Sequence, residues 1–95
     1  MFYFTYVLKS LKDNHLYIGW TDNLKERINE HNKGSVISTK NRQPLKLICY
    51  EACLDKKSAI LREKQLKTGF GRVYLKRRLK NYFKINKNPD SSQGL

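Results

Sequence analysis

Strand-forming and helix-forming stretches follow one another along the 95 residues in the order β-β-α-β-α-α, which predicts a small α+β domain, α/β in the broad sense. Three observations carry this. Aromatic and β-branched residues concentrate at 2–8, 15–21 and 45–52. Capping residues followed by helically spaced apolar residues occur after positions 23 and 55, and glycines sit where helices should stop.

The first stretch, Phe2 to Leu8, puts Phe2, Phe4, Tyr6 and Leu8 on one face and Tyr3, Thr5 and Val7 on the other. Lys12-Asp13-Asn14 supplies turn chemistry, and His15 to Thr21 resumes the β pattern, so the two stretches predict an antiparallel hairpin. Gly19 interrupts the second strand, as at a bulge or a close approach by another group. Thr21-Asp22-Asn23, with Glu26 three residues after Asn23, forms a capping-box pattern, and Gly34 marks the helix end. Ser35 to Pro44 has no period and carries Lys40 and Arg42, which predicts an exposed basic loop. Leu45 to Ala52 is the third strand. Asp55 caps a second helix to about Thr68, Gly69 and Gly71 around Phe70 make a hinge-like break, and a third helix spans about Arg72 to Phe83 with Leu75, Leu79, Tyr82 and Phe83 inward. A domain over 1–83 and a polar, disordered tail over 84–95 follow, since Asn86 to Leu95 has almost no apolar content.

Twenty Lys and Arg against eight Asp and Glu leave a net charge of +12, a field that attracts polyanions and makes nucleic acid the first partner to test. At 39% hydrophobic residues the chain can build a small core, so the charge decorates a folded domain. No apolar run reaches the roughly 20 residues of a membrane span, and the start has no secretory pattern, so the expectation is a cytoplasmic protein with no membrane partner. Cys49 and Cys53 lack a second Cys or His pair at zinc spacing, which argues against zinc and disulfide scaffolds.

Polar residues on apolar faces are the informative positions. In the first helix Leu24, Arg27, Ile28 and His31 follow i, i+3, i+4, i+7, so an arginine and a histidine border the core side. The bland account is that Arg27 lays its stem along the sheet and His31 closes the helix end. In the second helix Glu63 interrupts the stripe of Ala59, Ile60 and Leu66 and needs a partner, either Arg27 in a structural ion pair, which is the default, or a divalent cation. Tyr6 and Tyr17 sit on the two hairpin strands, as ordinary strand aromatics or, beside a cation, as proton acceptors.

Tyr6, then Tyr17-Ile18-Gly19, then the run from Asn23 to Arg27 opening a helix, then Glu63 in a later helix together resemble the GIY-YIG endonuclease family. YVLKS, LYIGWTDNLKERINEHNKG and REKQLKTGFGR are similar to its small stand-alone bacterial members, which are similar in turn to the nuclease domain of the excision-repair incision subunit. The resemblance covers residues 1 to 83. It implies a three-stranded antiparallel sheet flanked by helices and hydrolysis of a nucleic-acid phosphodiester with one divalent cation, Mg²⁺ or Mn²⁺, recruited with substrate and held by Glu63. It also implies that Arg27 neutralises the phosphate, that one of Tyr6 and Tyr17 activates or positions the attacking water, Tyr6 being favoured as general base with Tyr17 orienting it although the family is read both ways, and that His31 assists proton transfer or contacts phosphate. Phe4 and Thr5 stand where the family has Gly and Ile, and the late asparagine has only Asn81 as a loose counterpart.

Lys40 and Arg42 in the loop, with Arg72, Lys76, Arg77 and Lys80 on the third helix, are the expected phosphate-tracking residues, each alternatively a solvated surface charge. The leading function is a structure-selective or weakly specific endonuclease, with DNA favoured over RNA, serving DNA repair or processing, its oligomeric state left open by the sequence. Its rivals are a non-catalytic nucleic-acid-binding module that kept the fold and charge, and a small basic interaction protein with no nucleic-acid partner.

Overall fold

The computed structural model describes residues 1–87. Its elements are β1 (Tyr3–Ser10), β2 (Leu16–Thr21), α1 (Leu24–Asn32), a single 3₁₀ turn (Ile37–Thr39), β3 (Leu45–Cys53), α2 (Lys56–Leu66), α3 (Gly69–Arg78) and α4 (Lys80–Lys87). The described residues divide into two compact units, one over residues 1–64 and one that begins at residue 65. None of the described helices is long and apolar enough to cross a membrane.

The first unit is built on a three-stranded antiparallel sheet in the order β2-β1-β3, as the resemblance implies. Tyr6 lies opposite Gly19 on one side and Tyr50 on the other, while Leu8 lies opposite Tyr17 and Leu47. A bulge between Val7 and Leu8 sets Val7 against Cys49 and Leu8 against Leu47, so Ile48 is the extra residue. The bulge reverses the alternation in β3 and turns Leu45 and Leu47 to the Tyr6–Leu8 face. Tyr6, Leu8 and Leu45 form the buried cluster there, with Tyr17, Leu24, Ile28 and Leu47 packed against it.

α1 covers that face. Asn23 caps it, its side chain accepting the Glu26 N–H at 3.2 Å, but the reciprocal half of the capping box is replaced, because the Asn23 N–H donates to the Thr21 hydroxyl at 3.1 Å. Its C-terminus is a full Schellman motif: Gly34 N–H donates to His31 O at 3.2 Å and Ser35 N–H to Glu30 O at 3.0 Å. Gly34 has φ +79°, the left-handed conformation this motif requires. Asn32 then clips the helix to the sheet, its amide donating to Leu45 O at 3.0 Å and accepting Leu45 N–H at 2.8 Å as a neighbouring strand would.

α2 crosses the opposite face. Thr5 alternates with Tyr6, and its hydroxyl donates to Ala59 O at 2.9 Å. In register, Trp20, Thr5 and Glu51 form one row across the three strands. Lys56 stands 5.3 Å over the Trp20 ring, Ala59 meets Thr5, and Arg62 grips Glu51 through two bonds of 2.9 and 3.1 Å. The ridge of Lys56, Ala59 and Arg62 spans about 9 Å at roughly 1.5 Å per residue. Two strand spacings of about 4.8 Å cover the same distance, so α2 runs across the strands with one anchor per strand. Asp55 caps it, accepting from Ser58 N–H at 3.0 Å, as its position predicts.

The 35–44 segment is mostly exposed, as expected, but it is anchored at two points. Thr39 is buried at the end of the 3₁₀ turn, and Ser10 donates to Arg42 O at 2.7 Å. Only a fold that brings β1 and α1 to this segment could show that, because its sequence has no period. In the second unit Gly69 and Gly71 are not a hinge: Thr68 caps α3, accepting the Gly71 N–H at 3.1 Å, and both glycines lie in its first turn. A Cβ on Gly71 would overlap backbone atoms of Gln65 and Leu66, so this glycine serves close packing. The single helix expected over 72–83 is two, α3 and α4, parted at Leu79. Of the tail expected over 84–95, residues 84–87 complete α4 and 88–95 lie outside the described residues.

Candidate active site

Tyr6 is 3% exposed, and its ring leans over Gly19 on β2, the residue without a side chain to obstruct it. A Cβ at Gly19 would overlap the Tyr6 hydroxyl and its ring carbon, so the glycine in the second strand marks a close approach rather than a plain bulge. This lean delivers the hydroxyl to α1. The Tyr6 oxygen is 2.9 Å from His31 Nε2 and accepts a longer bond of 3.4 Å from Arg27 Nε. Each comes from the helical stripe noted in the sequence, one turn apart on the face turned to the sheet.

Arg27 also donates to Glu30 at 2.8 Å. Its acidic partner is therefore Glu30, three residues on, where the sequence favours an ion pair with Glu63. The Glu30 bond first, then the Tyr6 bond, raise the guanidinium's pKa, so Arg27 is a permanent cation with further N–H groups to offer an anionic oxygen. His31 is buried, with Nδ1 2.7 Å from the hydroxyl of buried Thr39. Burial, and then the Arg27 charge, hold the imidazole below its ordinary pKa, with Glu30 opposing. The neutral ring is the stable form at neutral pH.

A ring kept neutral in the fold but protonating in the unfolded chain at about pH 6.5 makes the unfolded state bind more protons below that value. Stability should therefore fall as the pH drops from 7.5 to 5.5, a window that the lowered carboxyls of Asp13 and Asp55 reach only at more acid pH. Urea midpoints at both pH values check this, and His31→Asn should flatten the difference. Equal midpoints for the natural protein would contradict it.

Tyr17 lies on the same sheet face as Tyr6, packed against the core cluster, and among the described residues it stands outside the hydrogen-bond network that joins Tyr6, Arg27, His31 and Thr39. Glu63 is half-buried on α2, the helix of the opposite face. No three His, Cys, Asp or Glu side chains among the described residues form a group that could hold a metal ion. A single carboxylate on Glu63 suits Mg²⁺ or Mn²⁺, which take hard oxygen donors and fill their other positions with water and substrate phosphate.

Of the expected phosphate contacts, Lys40 is exposed at the end of the 3₁₀ turn. Arg42 is exposed but pairs with Asp13 at 3.4 Å, tying its loop to the β1–β2 turn. In the second unit Arg72, Lys76 and Arg77 are exposed on α3, and Lys80, also exposed, begins α4. Residues 65–95 carry eight Lys or Arg against Asp90 alone, +7 of the total +12. Glu30 and Thr39 are the site residues that sequence reasoning missed. Glu30 was within reach of an i, i+3 rule; Thr39 had no local signal.

The sequence pattern of the GIY-YIG catalytic domain matches residues 2–78. The chain belongs to the GIY-YIG family. It is 43% identical over 65 residues to a UPF0213 protein of Clostridium perfringens, covering 67% of this chain and 69% of that one. A UPF0213 protein of Staphylococcus haemolyticus is 40% identical over 67 residues, 70% of this chain and 80% of that one. A UPF0213 protein of Bacillus halodurans solved by solution NMR is 28% identical with a TM-score of 0.49, over 79% of this chain and 82% of that one. GIY-YIG membership implies a nuclease domain acting on nucleic acid, and nucleases of this family are generally dependent on a divalent metal.

Proposed function

We propose that this GIY-YIG protein is an endonuclease that hydrolyses phosphodiester bonds of DNA, selecting structure rather than sequence, with Mg²⁺ or Mn²⁺ recruited together with the substrate. The observation that carries the reading is the buried Tyr6 hydroxyl held between the neutral His31 and the cationic Arg27. A base for water and a fixed guanidinium are the parts that phosphoryl chemistry needs, because the transition state gathers negative charge on its oxygens. The preference for DNA and a place in repair or processing rest on the likeness to the excision-repair incision subunit, and a cytoplasmic location belongs to the same proposal.

In this mechanism an attacking water gives its proton to the Tyr6 oxygen as Tyr6 passes its own to His31 Nε2. The water oxygen bonds to phosphorus, the bond to the leaving oxygen breaks, and the leaving oxygen takes a proton from solvent. Arg27 donates to a phosphate oxygen, joining or displacing Glu30. Tyr17, on the same face, orients the water. Glu63 would hold the divalent ion, which supplies positive charge to the phosphate when bound. Lys40, Arg72, Lys76, Arg77 and Lys80 add affinity without base readout, so binding should weaken steeply with salt.

Cleavage of duplex, single-stranded, flap and branched DNAs and structured RNAs, with Mg²⁺ or Mn²⁺ and with a chelator, tests the reading. Glu63→Ala and Arg27→Ala should bind but cut at least about a hundredfold more slowly, the scale of one lost transition-state stabiliser. Chelation should stop cleavage and leave the melting temperature unchanged. Equal cutting by Glu63→Ala would remove it as the metal ligand. Binding without any cleavage by the natural protein would favour the non-catalytic module.

A further inference from the structure

The buried His31 ring meets a hydroxyl at each nitrogen, Tyr6 at Nε2 and Thr39 at Nδ1. Thr39 is 0% exposed, and backbone bonds fix it in place: its N–H donates to Val36 O at 3.1 Å and its carbonyl accepts Arg42 N–H at 2.9 Å. The segment beyond is tied down in turn by Ser10, which donates to Arg42 O, and by the Asp13–Arg42 ion pair. A threonine hydroxyl is thus presented to the far side of the ring by a segment that is itself anchored to β1.

We propose that Thr39 is a positioning residue: its hydroxyl oxygen takes the Nδ1–H of His31 and so holds the ring in the tautomer whose Nε2 lone pair faces the Tyr6 hydroxyl. The assignment follows from the hydrogens available. Tyr6 O already accepts from Arg27 Nε. If His31 carried its proton on Nε2, two N–H groups would converge on the phenol oxygen, and the phenol hydrogen, confined to the ring plane of a buried side chain, would lose its acceptor. With the proton on Nδ1 the phenol hydrogen points at Nε2, and the hydrogen left to place is that of Thr39, which rotates about its C–O bond to suit its surroundings.

The consequence for chemistry rests on the endonuclease reading above; the tautomer itself does not. When Tyr6 passes its proton to Nε2, the imidazolium has N–H groups on both sides, and Thr39 accepts from Nδ1 before and after the transfer. The ring need not turn. The charged groups facing it are Arg27 and Glu30 of α1, and the titratable group from β1 is Tyr6 itself.

Long-range proton–nitrogen correlation spectra of the ¹⁵N-labelled full chain read the tautomer without substrate. The natural protein should show a protonated Nδ1 and an unprotonated Nε2 for His31. Thr39→Val should move the population toward Nε2–H, and Thr39→Ser should restore the natural pattern. With DNA and Mg²⁺, Thr39→Val should cut about tenfold to a hundredfold more slowly, the range over which outer hydrogen-bond partners act, with binding unchanged and Thr39→Ser close to natural. Should Thr39→Val fail to fold, Thr39→Ala takes its place. An Nε2–H tautomer in the natural protein overturns the proposal, as does a change in tautomer without a change in rate, or the reverse. If the natural protein cuts nothing, the endonuclease reading falls, and the spectra still decide whether Thr39 sets the ring.

Discussion

Tyr6→Phe should cut DNA about 10² to 10⁴ times more slowly than the natural protein, the range that a positioned acid–base group contributes. The substitution keeps the ring that packs against Leu8 and Leu45 and removes only the oxygen that meets His31 and Arg27. Folding should suffer much less. One buried hydrogen-bonded hydroxyl is worth roughly 1 kcal/mol, with some further cost for leaving His31 Nε2 without its partner. Single-turnover cleavage with thermal melting separates the two effects. Tyr17→Phe is the comparison that assigns the base: Tyr17 shares the sheet face but not the hydrogen-bond network, so its loss should reduce the rate by a smaller factor. If Tyr17→Phe abolished cutting and Tyr6→Phe did not, the roles of the two tyrosines would be exchanged.

Gly19→Ala should be destabilising and should also slow cleavage, although alanine is ordinarily the better strand residue. Replacing a glycine where the backbone tolerates it stabilises by about 0.4–1 kcal/mol through the unfolded chain. Here the added Cβ overlaps the Tyr6 hydroxyl and its ring carbon. Tyr6 is buried and bonded to His31 and Arg27, so it cannot retreat without breaking those bonds. Overpacking of this kind costs about 1–3 kcal/mol. A hydroxyl displaced by about 1 Å costs of order 10² in rate. Denaturant midpoints and single-turnover rates measure the two. Gly19→Ala and Tyr6→Phe should be non-additive because the residues touch; stability changes that add within about 0.5 kcal/mol would sink the account.

Much of the unit formed by residues 1–64 was legible in the sequence because its signals are local. The three strands are runs of aromatic and β-branched residues, and the caps Asn23 and Asp55 and the stop at Gly34 sit where propensity puts them. The stripe of Leu24, Arg27, Ile28 and His31 turned to the sheet as the helical period requires. Period and glycine content mislead where packing overrides their local meaning. Gly69 and Gly71 open α3 because Thr68 caps it and the Gly71 backbone lies against Gln65 and Leu66. Leu79 parts α3 from α4 although its apolar spacing continues across the break.

The sheet order, the bulge at Ile48 and the path of α2 across the row of Trp20, Thr5 and Glu51 depend on pairings between distant residues, for which a single chain's pattern has no readout. The same holds for the site. Residue type and spacing are enough to separate Arg27 and His31 from their neighbours, since a polar side chain on an apolar stripe stands out within a few turns of chain, whereas Tyr6 stands out only through the family resemblance. That Tyr6 reaches α1 by leaning over Gly19, that Glu30 takes Arg27, and that Thr39 closes the far side of His31 were settled by folding alone. Hydrogen bonds are directional and short-ranged, so their partners are fixed only when the backbone has brought the two groups within about 3 Å.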